Sequence, residues 1–267
     1  LGVTDAVLPE LSSLRGVEQS PYHHLDVHDH TLAVLAEVIA LERDPEPALG
    51  AQARAVSELL CQPLADELTG WQALRFGALL HDIAKPMTRR VSAEGRVTFI
   101  GHDAAGAEMA TTVLARLRAS ERLREHVAAL VRHHLRLGFM VRDMPLDRRA
   151  VYRYLRGCLP VGLEVTVLSA ADRLATRGVG SGEAIAKHLQ LVRQLIAEAL
   201  SWRTHPPRPP VRGDELARAL AIEPGPELGR ILAELEEASF AGEVASGEQA
   251  VERARQLLAH GSLGSRQ

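Results

Sequence analysis

Seven residues are candidate ligands for divalent metals: His30, His81, Asp82, His102, His133, His134 and Asp172. Imidazole and carboxylate groups bind first-row divalent ions when they converge in space. Each of the seven lies on, or at the edge of, a stretch with helical apolar spacing. Leu32, Leu35, Val38 and Ile39 follow His30; Val127, Leu130 and Val131 precede His134; Ala170, Ala171 and Leu174 flank Asp172. A titratable group turned toward a core needs a partner, and one metal centre would satisfy all of them together. Taken singly, each reads as a hydrogen-bonded core residue or a buried ion pair. The ordered set H…HD…H…HH…D points to a metal site.

The elements that must position these groups read as helices. The central one is Arg75 to Pro86, where Phe76, Leu79, Leu80 and Ile83 fall at i, i+3, i+4 and i+7 on a core face. Ala78, His81, Asp82 and Lys85 share the adjoining face, and Pro86 is expected to stop the helix. Thr69-Gly70 is its expected cap. Further helices are expected from Asp5 to Leu14, through His30, from about Ala51, from His102, from Ser120, from Arg148, from Glu164 to Ala175 and from Glu183 to Trp202. Residues 87–101 read as a small hairpin or an irregular loop. His205-Pro206-Pro207-Arg208-Pro209-Pro210 cannot continue a helix and reads as a stiff linker. Helices near Gly213–Leu220, Pro226–Ala238 and Ser246–Ala259 follow it. The expected organisation is all-α: a body over 1–205, a linker over 206–210 and a small helical domain over 211–267.

Composition narrows the function classes. The chain has 267 residues with 46% hydrophobic content but only 3% aromatics, so Ala, Leu and Val must pack closely spaced helices. A formal net charge of −3 argues against coating nucleic acid through bulk charge. No apolar run reaches the ~18 residues of a membrane span, and there is no signal-peptide pattern, so no membrane partner is expected and a cytoplasmic location is. Cys61 and Cys158 form no CxxC pair and read as two buried thiols. The sequence starts at Leu1 rather than Met, as a piece of a longer product would. Among the remaining histidines, His24 is the one expected nearest the pocket, and His126, His188, His205 and His260 are expected at the surface.

The pattern resembles the HD superfamily of metal-dependent phosphohydrolases. His30, His81-Asp82 and Asp172 match its four-ligand signature. His102 in Gly-His-Asp-x-x-Gly and His133-His134 match the extra histidines of its two-metal members. The stretches Val7-Leu8-Pro9-Glu10-Leu11, His102 to Ala107, Ala171 to Thr176, Val211 to Leu216 and Pro224 to Gly229 are similar to the HD-containing C-terminal half of bacterial tRNA nucleotidyltransferase and poly(A) polymerase-like proteins. The nucleotidyltransferase head, with its Gly-Gly turn and paired aspartates, is not in this sequence. The chain is therefore expected to be either the C-terminal half of a longer protein or a stand-alone relative.

The resemblance implies an HD helical bundle holding two divalent ions, with Mn, Fe, Co, Ni, Zn and Mg undistinguished. His30, His81, Asp82 and Asp172 would serve the first ion; His102, His133 and His134 would serve the second, with Asp82 shared. The implied activity is hydrolysis of a phosphate ester, a nucleotide or an RNA 3′ end, by metal-activated water. Lys85 reads either as a phosphate contact or as a lysine interacting with the helix dipole. Arg173 reads as a phosphate contact or a structural ion pair. The other implied reading is a non-catalytic tRNA-binding body. Alanine-rich helix faces allow a homodimer.

Overall fold

In the computed structural model, residues 2–19, 25–177 and 181–264 are described. The protein is all-α, with strands only in two small hairpins. The main helices are α1 (Val27–Arg43), α2 (Ala53–Leu60), α3 (Gly70–Leu80), α4 (His102–Arg116), α5 (Glu121–His133), α6 (Arg148–Gly157), α7 (Gly162–Ala175), α8 (Ser181–Thr204), α9 (Gly213–Leu220), α10 (Pro226–Ala241) and α11 (Gly247–Gly264). Strands β1 (Pro63–Ala65) and β2 (Leu68–Thr69) form one antiparallel hairpin, and β3 (Arg90–Val91) and β4 (Val97–Thr98) the other.

Local chemistry fixes the helix starts. Thr69 caps α3 in a capping box with Gln72, Ser120 caps α5 through the Leu123 N–H, and Asp26 caps α1 through the Asp29 N–H. His30 lies one turn inside this cap, its N–H donating to the Asp26 carbonyl at 3.0 Å. The Arg75–Pro86 segment differs from expectation. Helix α3 ends at Leu80, residues 81–84 form a turn, and Lys85–Thr88 begins a new helical turn with Pro86 in its first positions. A proline lacks the N–H that a helix start leaves unsatisfied anyway, so Pro86 starts a turn rather than stopping α3. Leu80 and Ile83 still reach the core, while Phe76 and Leu79 are only partly buried. The 63–69 hairpin turns tightly through Asp66 and Glu67, both at positive φ. Asp5 to Leu14 is two short turns, Val3–Val7 and Pro9–Ser12, rather than one helix.

Contacts divide the chain into two compact units. The first is Leu1–Met144 with Gly157–Leu200; the second is Pro145–Arg156 with Ser201–Gln267. In the first, α7 packs against α1, α3 and α5, and every residue from Gly162 to Ala171 is buried. A helix wrapped on all sides needs no polar stripe. Helices α4 and α5 pair closely, as do α3 and α5. Two glycines allow this: a Cβ on Gly77 would meet Leu130 Cδ1 at 2.9 Å, and one on Gly106 would meet Val131 Cγ1 at 3.0 Å. In the second unit, Leu216, Ile231, Leu235, Ala238 and Ala250 make the core. Arg149 on α6 pairs there with Glu234, Glu237 and Glu243, and Tyr152 packs with Trp202 and Phe240.

Two surface expectations are corrected. Cys61 is exposed, and only Cys158 is buried. His188 is buried, because its Nε2 lies 3.0 Å from Ser169 Oγ on the fully packed helix α7. His24 and the side chain of His260 fall outside the described residues.

Candidate metal centre

Three histidines are aimed by their own backbone. Nδ1 of His81 donates to the Ala78 carbonyl at 2.8 Å, Nδ1 of His102 to Phe99 at 2.7 Å, and Nδ1 of His134 to Val131 at 2.6 Å. Each ring bonds the carbonyl three residues before it, at the end or the start of a helix. A carbonyl only accepts, so in the neutral ring Nδ1 carries the hydrogen and Nε2 keeps a lone pair. All three Nε2 atoms then turn toward Asp82. His81 Nε2 is 3.0 Å from Asp82 Oδ2; His102 and His134 Nε2 are 3.3 and 3.8 Å from Oδ1.

His30, from α1, approaches the other side. Its Nε2 lies 3.9 Å from Asp82 Oδ2 and 3.1 Å from Asp172 Oδ1. His30, His81, Asp82, His102 and His134 are buried, while the Asp172 carboxylate is 28% exposed and faces the cavity. The ligand atoms fall into two groups, each compact enough for one ion: His30, His81 and Asp82, and Asp82, His102 and His134. Asp82 belongs to both, one oxygen toward each.

The electrostatics ask for cations. Burial opposes the charge on Asp82, yet His81, Lys85 and His102 outweigh it and hold its carboxyl well below the usual range. Burial likewise opposes the charge on Asp172, and His30 and His81 overcome it and lower its pKa. Burial and the neighbouring His81 and His102 push the His134 imidazole down to about 4. His81 Nε2 and Asp82 Oδ2 are buried at the middle of the cluster, 3.0 Å apart. A cluster of imidazole nitrogens around a buried carboxylate fits divalent metal ions.

The structure brings six of the seven predicted ligands together. His133 is not among the convergent atoms: it is half-buried on α5, about 100° around the helix from His134, where Arg132, Arg136 and Asp103 act on it. Lys85 lines the cavity, its Nζ 2.7 Å from Asp82 Oδ2, 2.6 Å from Gln19 Oε1 and 5.3 Å from the Phe99 ring centroid. Arg173 does not line it. Sequence reasoning missed Gln19, whose contact with Lys85 spans 66 positions, and the apolar wall of Phe99, Ile100, Leu135 and Phe139. The cavity measures about 450 Å³, within the range of small-molecule sites.

The chain is similar to known proteins. The HD domain model matches residues 27–177, a span that holds all six converging residues. The chain is 33% identical over 253 residues to the CC-adding tRNA nucleotidyltransferase of Thermus thermophilus, covering 94% of this chain and 49% of that protein. It is 35% identical over 255 residues to the A-adding tRNA nucleotidyltransferase of Deinococcus radiodurans, covering 94% of this chain and 51% of that one. A bifunctional uridylyltransferase/uridylyl-removing enzyme of Cereibacter sphaeroides is 29% identical over 206 residues, 75% of this chain and 20% of its own length. The chain thus spans about half the length of its tRNA nucleotidyltransferase relatives. Among the described residues, no helix is long and apolar enough to cross a membrane. With the family model covering more than half the sequence and every convergent ligand inside it, the chain belongs to the HD domain family.

Proposed function

We propose that this chain is a metal-dependent phosphohydrolase or phosphodiesterase acting on a nucleotide or an RNA-end phosphate. The observation that carries the reading is Asp82, whose two oxygens each belong to a separate buried ligand group. His30, His81 and Asp82, with Asp172 beside them, would hold one divalent ion, and Asp82, His102 and His134 the other. Such ions supply Lewis acidity and a nucleophilic water for displacement at phosphorus. The chain's own residues do the rest. Lys85 brings a positive charge to the cavity wall, held by Gln19 and Asp82. The backbone carbonyls of Ala78, Phe99 and Val131 fix the three ring orientations. The uridylyl-removing name of one relative supports hydrolytic use of such a site.

Metal analysis of the purified chain tests the reading, together with hydrolysis of bis(p-nitrophenyl) phosphate and a 2′,3′-cyclic nucleotide in Mn²⁺, Ni²⁺ or Co²⁺. Bound metal and turnover are expected, with a loss of roughly 10²–10³ in turnover for Asp82→Ala, the scale seen when one transition-state stabiliser is removed. Absence of bound metal, or unchanged turnover in Asp82→Ala, rejects it.

The second reading is a tRNA-binding body of a CCA-adding type of protein. It is favoured by the two tRNA nucleotidyltransferase relatives, which match 94% of this chain. Under it, tRNA affinity survives His81→Ala with Asp82→Ala, and no phosphoester is turned over.

A further inference from the structure

The cavity has a mouth as well as a ligand floor, and the mouth is apolar. Ile100 is 87% exposed and Phe139 60% exposed, two of the largest hydrophobic exposures among the described residues. Both line the same cavity as Asp82, His102 and His134. Their places in the chain explain this. Ile100 lies two residues before His102, in the link from β4 to α4. Phe139 lies five residues after His134, on the short turn Arg136–Met140, whose Leu137 faces inward and is buried. The two segments that deliver ligands to the second group thus each deliver one large apolar side chain to its entrance.

The neighbouring Phe99 is already engaged, facing Lys85 Nζ and set edge-on to His102 at 6.5 Å between ring centroids. Phe139 meets no ring among the described residues, and more than half of it is exposed. Large apolar groups left in water at the mouth of a polar site lower their free energy when a ligand covers them. A phosphate alone fills only part of about 450 Å³.

Resting on the phosphohydrolase reading above, we propose that Phe139 and Ile100 form a subsite for a nucleobase, which stacks on Phe139 and is flanked by Ile100 while its phosphate lies on the ligand floor. An aromatic face and an aliphatic side chain grip any base, because every base has a π-face. The subsite therefore separates nucleoside phosphates from non-aromatic phosphate esters without choosing among bases.

Binding to the full chain in Mn²⁺ tests this by calorimetry, with adenosine and cytidine 5′-phosphorothioates, glycerol phosphate and inorganic phosphate as probes. The wild type is expected to hold both nucleoside probes about tenfold or more tighter than glycerol phosphate, from stacking at one base. Phe139→Ala is expected to remove most of that margin for both bases alike, and to change inorganic phosphate less than about twofold. Phe139→Leu and Ile100→Ala should each remove part of it, since one lacks the π-face and the other the flank. The subsite is overturned if the wild type shows no margin, if Phe139→Ala leaves it intact, or if glycerol phosphate weakens as much as the nucleosides. If inorganic phosphate fails to bind the wild type in Mn²⁺, the phosphohydrolase reading falls, and the subsite with it. Both side chains are exposed, so circular dichroism of the variants should match the wild type.

Discussion

Nε2 of His102 and Nε2 of His134 lie 3.3 Å apart, and both rings have already committed Nδ1 to a backbone carbonyl. Two imidazole lone pairs facing each other in a buried site repel, and a proton or a metal ion between them removes the repulsion. The folded chain therefore gains more from a divalent ion than the unfolded chain does. At 100 times the dissociation constant, the gain is about 2.7 kcal/mol. For a chain of this size that is a rise of roughly 5–10 °C in the unfolding midpoint. A thermal melt in Mn²⁺ against one in chelator checks it. His134→Ala should abolish most of the rise, and a rise that persists in this variant places the ion elsewhere.

Gly106 ties helix packing to the same site. A Cβ there would meet Val131 Cγ1 at 3.0 Å, with the His81 carbonyl oxygen at 3.7 Å and Ala84 Cβ at 3.8 Å. Val131 is stiff at χ1 and wholly buried, so it yields poorly. Gly106→Val should destabilise the protein by about 1–3 kcal/mol through overpacking. Because the displaced parts carry His81 and His102, metal affinity should fall in the same variant. Denaturant titration and metal titration, run together, check the pairing.

His188 gives the first unit an acid sensitivity beside the ligand cluster. Burial pushes its imidazole down to about 4, with Arg173 adding to the shift and Asp172 opposing it. In the unfolded chain the group titrates near 6.5. Below ~6.5 the unfolded state takes up a proton that the folded state refuses, so stability falls as pH drops from ~6.5 to ~4 and this contribution is level below that. The expected loss is about 3 kcal/mol across the window. His188→Gln should flatten that limb of the stability–pH curve relative to wild type; two parallel curves would show that the imidazole does not cause it.

Arg149 is the chief polar tie within the second unit. Its guanidinium meets Glu243 through two nitrogens, at 2.7 and 2.8 Å, and reaches Glu234 at 3.0 Å and Glu237 at 3.2 Å. Arg149→Ala removes the charge that three carboxylates share, leaving Arg153 on Glu237 and Arg253 near Glu234, and should cost about 1–3 kcal/mol. Arg149→Lys should recover little, because a point charge does not reproduce the fork. Fluorescence of Trp202, which packs on Tyr152 and Phe240, reports unfolding of this unit in a Trp71→Phe background.

What the sequence could convey follows from how local each cause is. The all-α fold was legible because caps and apolar spacing act within one turn, as at Thr69 and Ser120. His30, His81, Asp82, His102 and His134 could be nominated because titratable groups stand out beside apolar stripes. His134 falls at i+7, i+4 and i+3 from Val127, Leu130 and Val131, so the spacing already favoured it over His133, which the resemblance alone had added to the ligand set. The burial of His188 depends on Ser169, 19 positions away, and the grouping of residues 145–156 with the tail depends on contacts such as Tyr152 to Glu236, 84 positions away. Pro86 misled because the same missing N–H that ends one helix suits the first turn of another.

Each of the three carbonyl-anchored histidines takes its aim from a residue three positions back in its own segment. No distant partner has to arrive before the ring is set. The rotational freedom of these imidazoles is lost when the helices form, so capturing an ion demands little further ordering of the protein. An ion entering such a site would find its donors already aimed, so its own dehydration, and not reordering of the protein, would set the speed of loading.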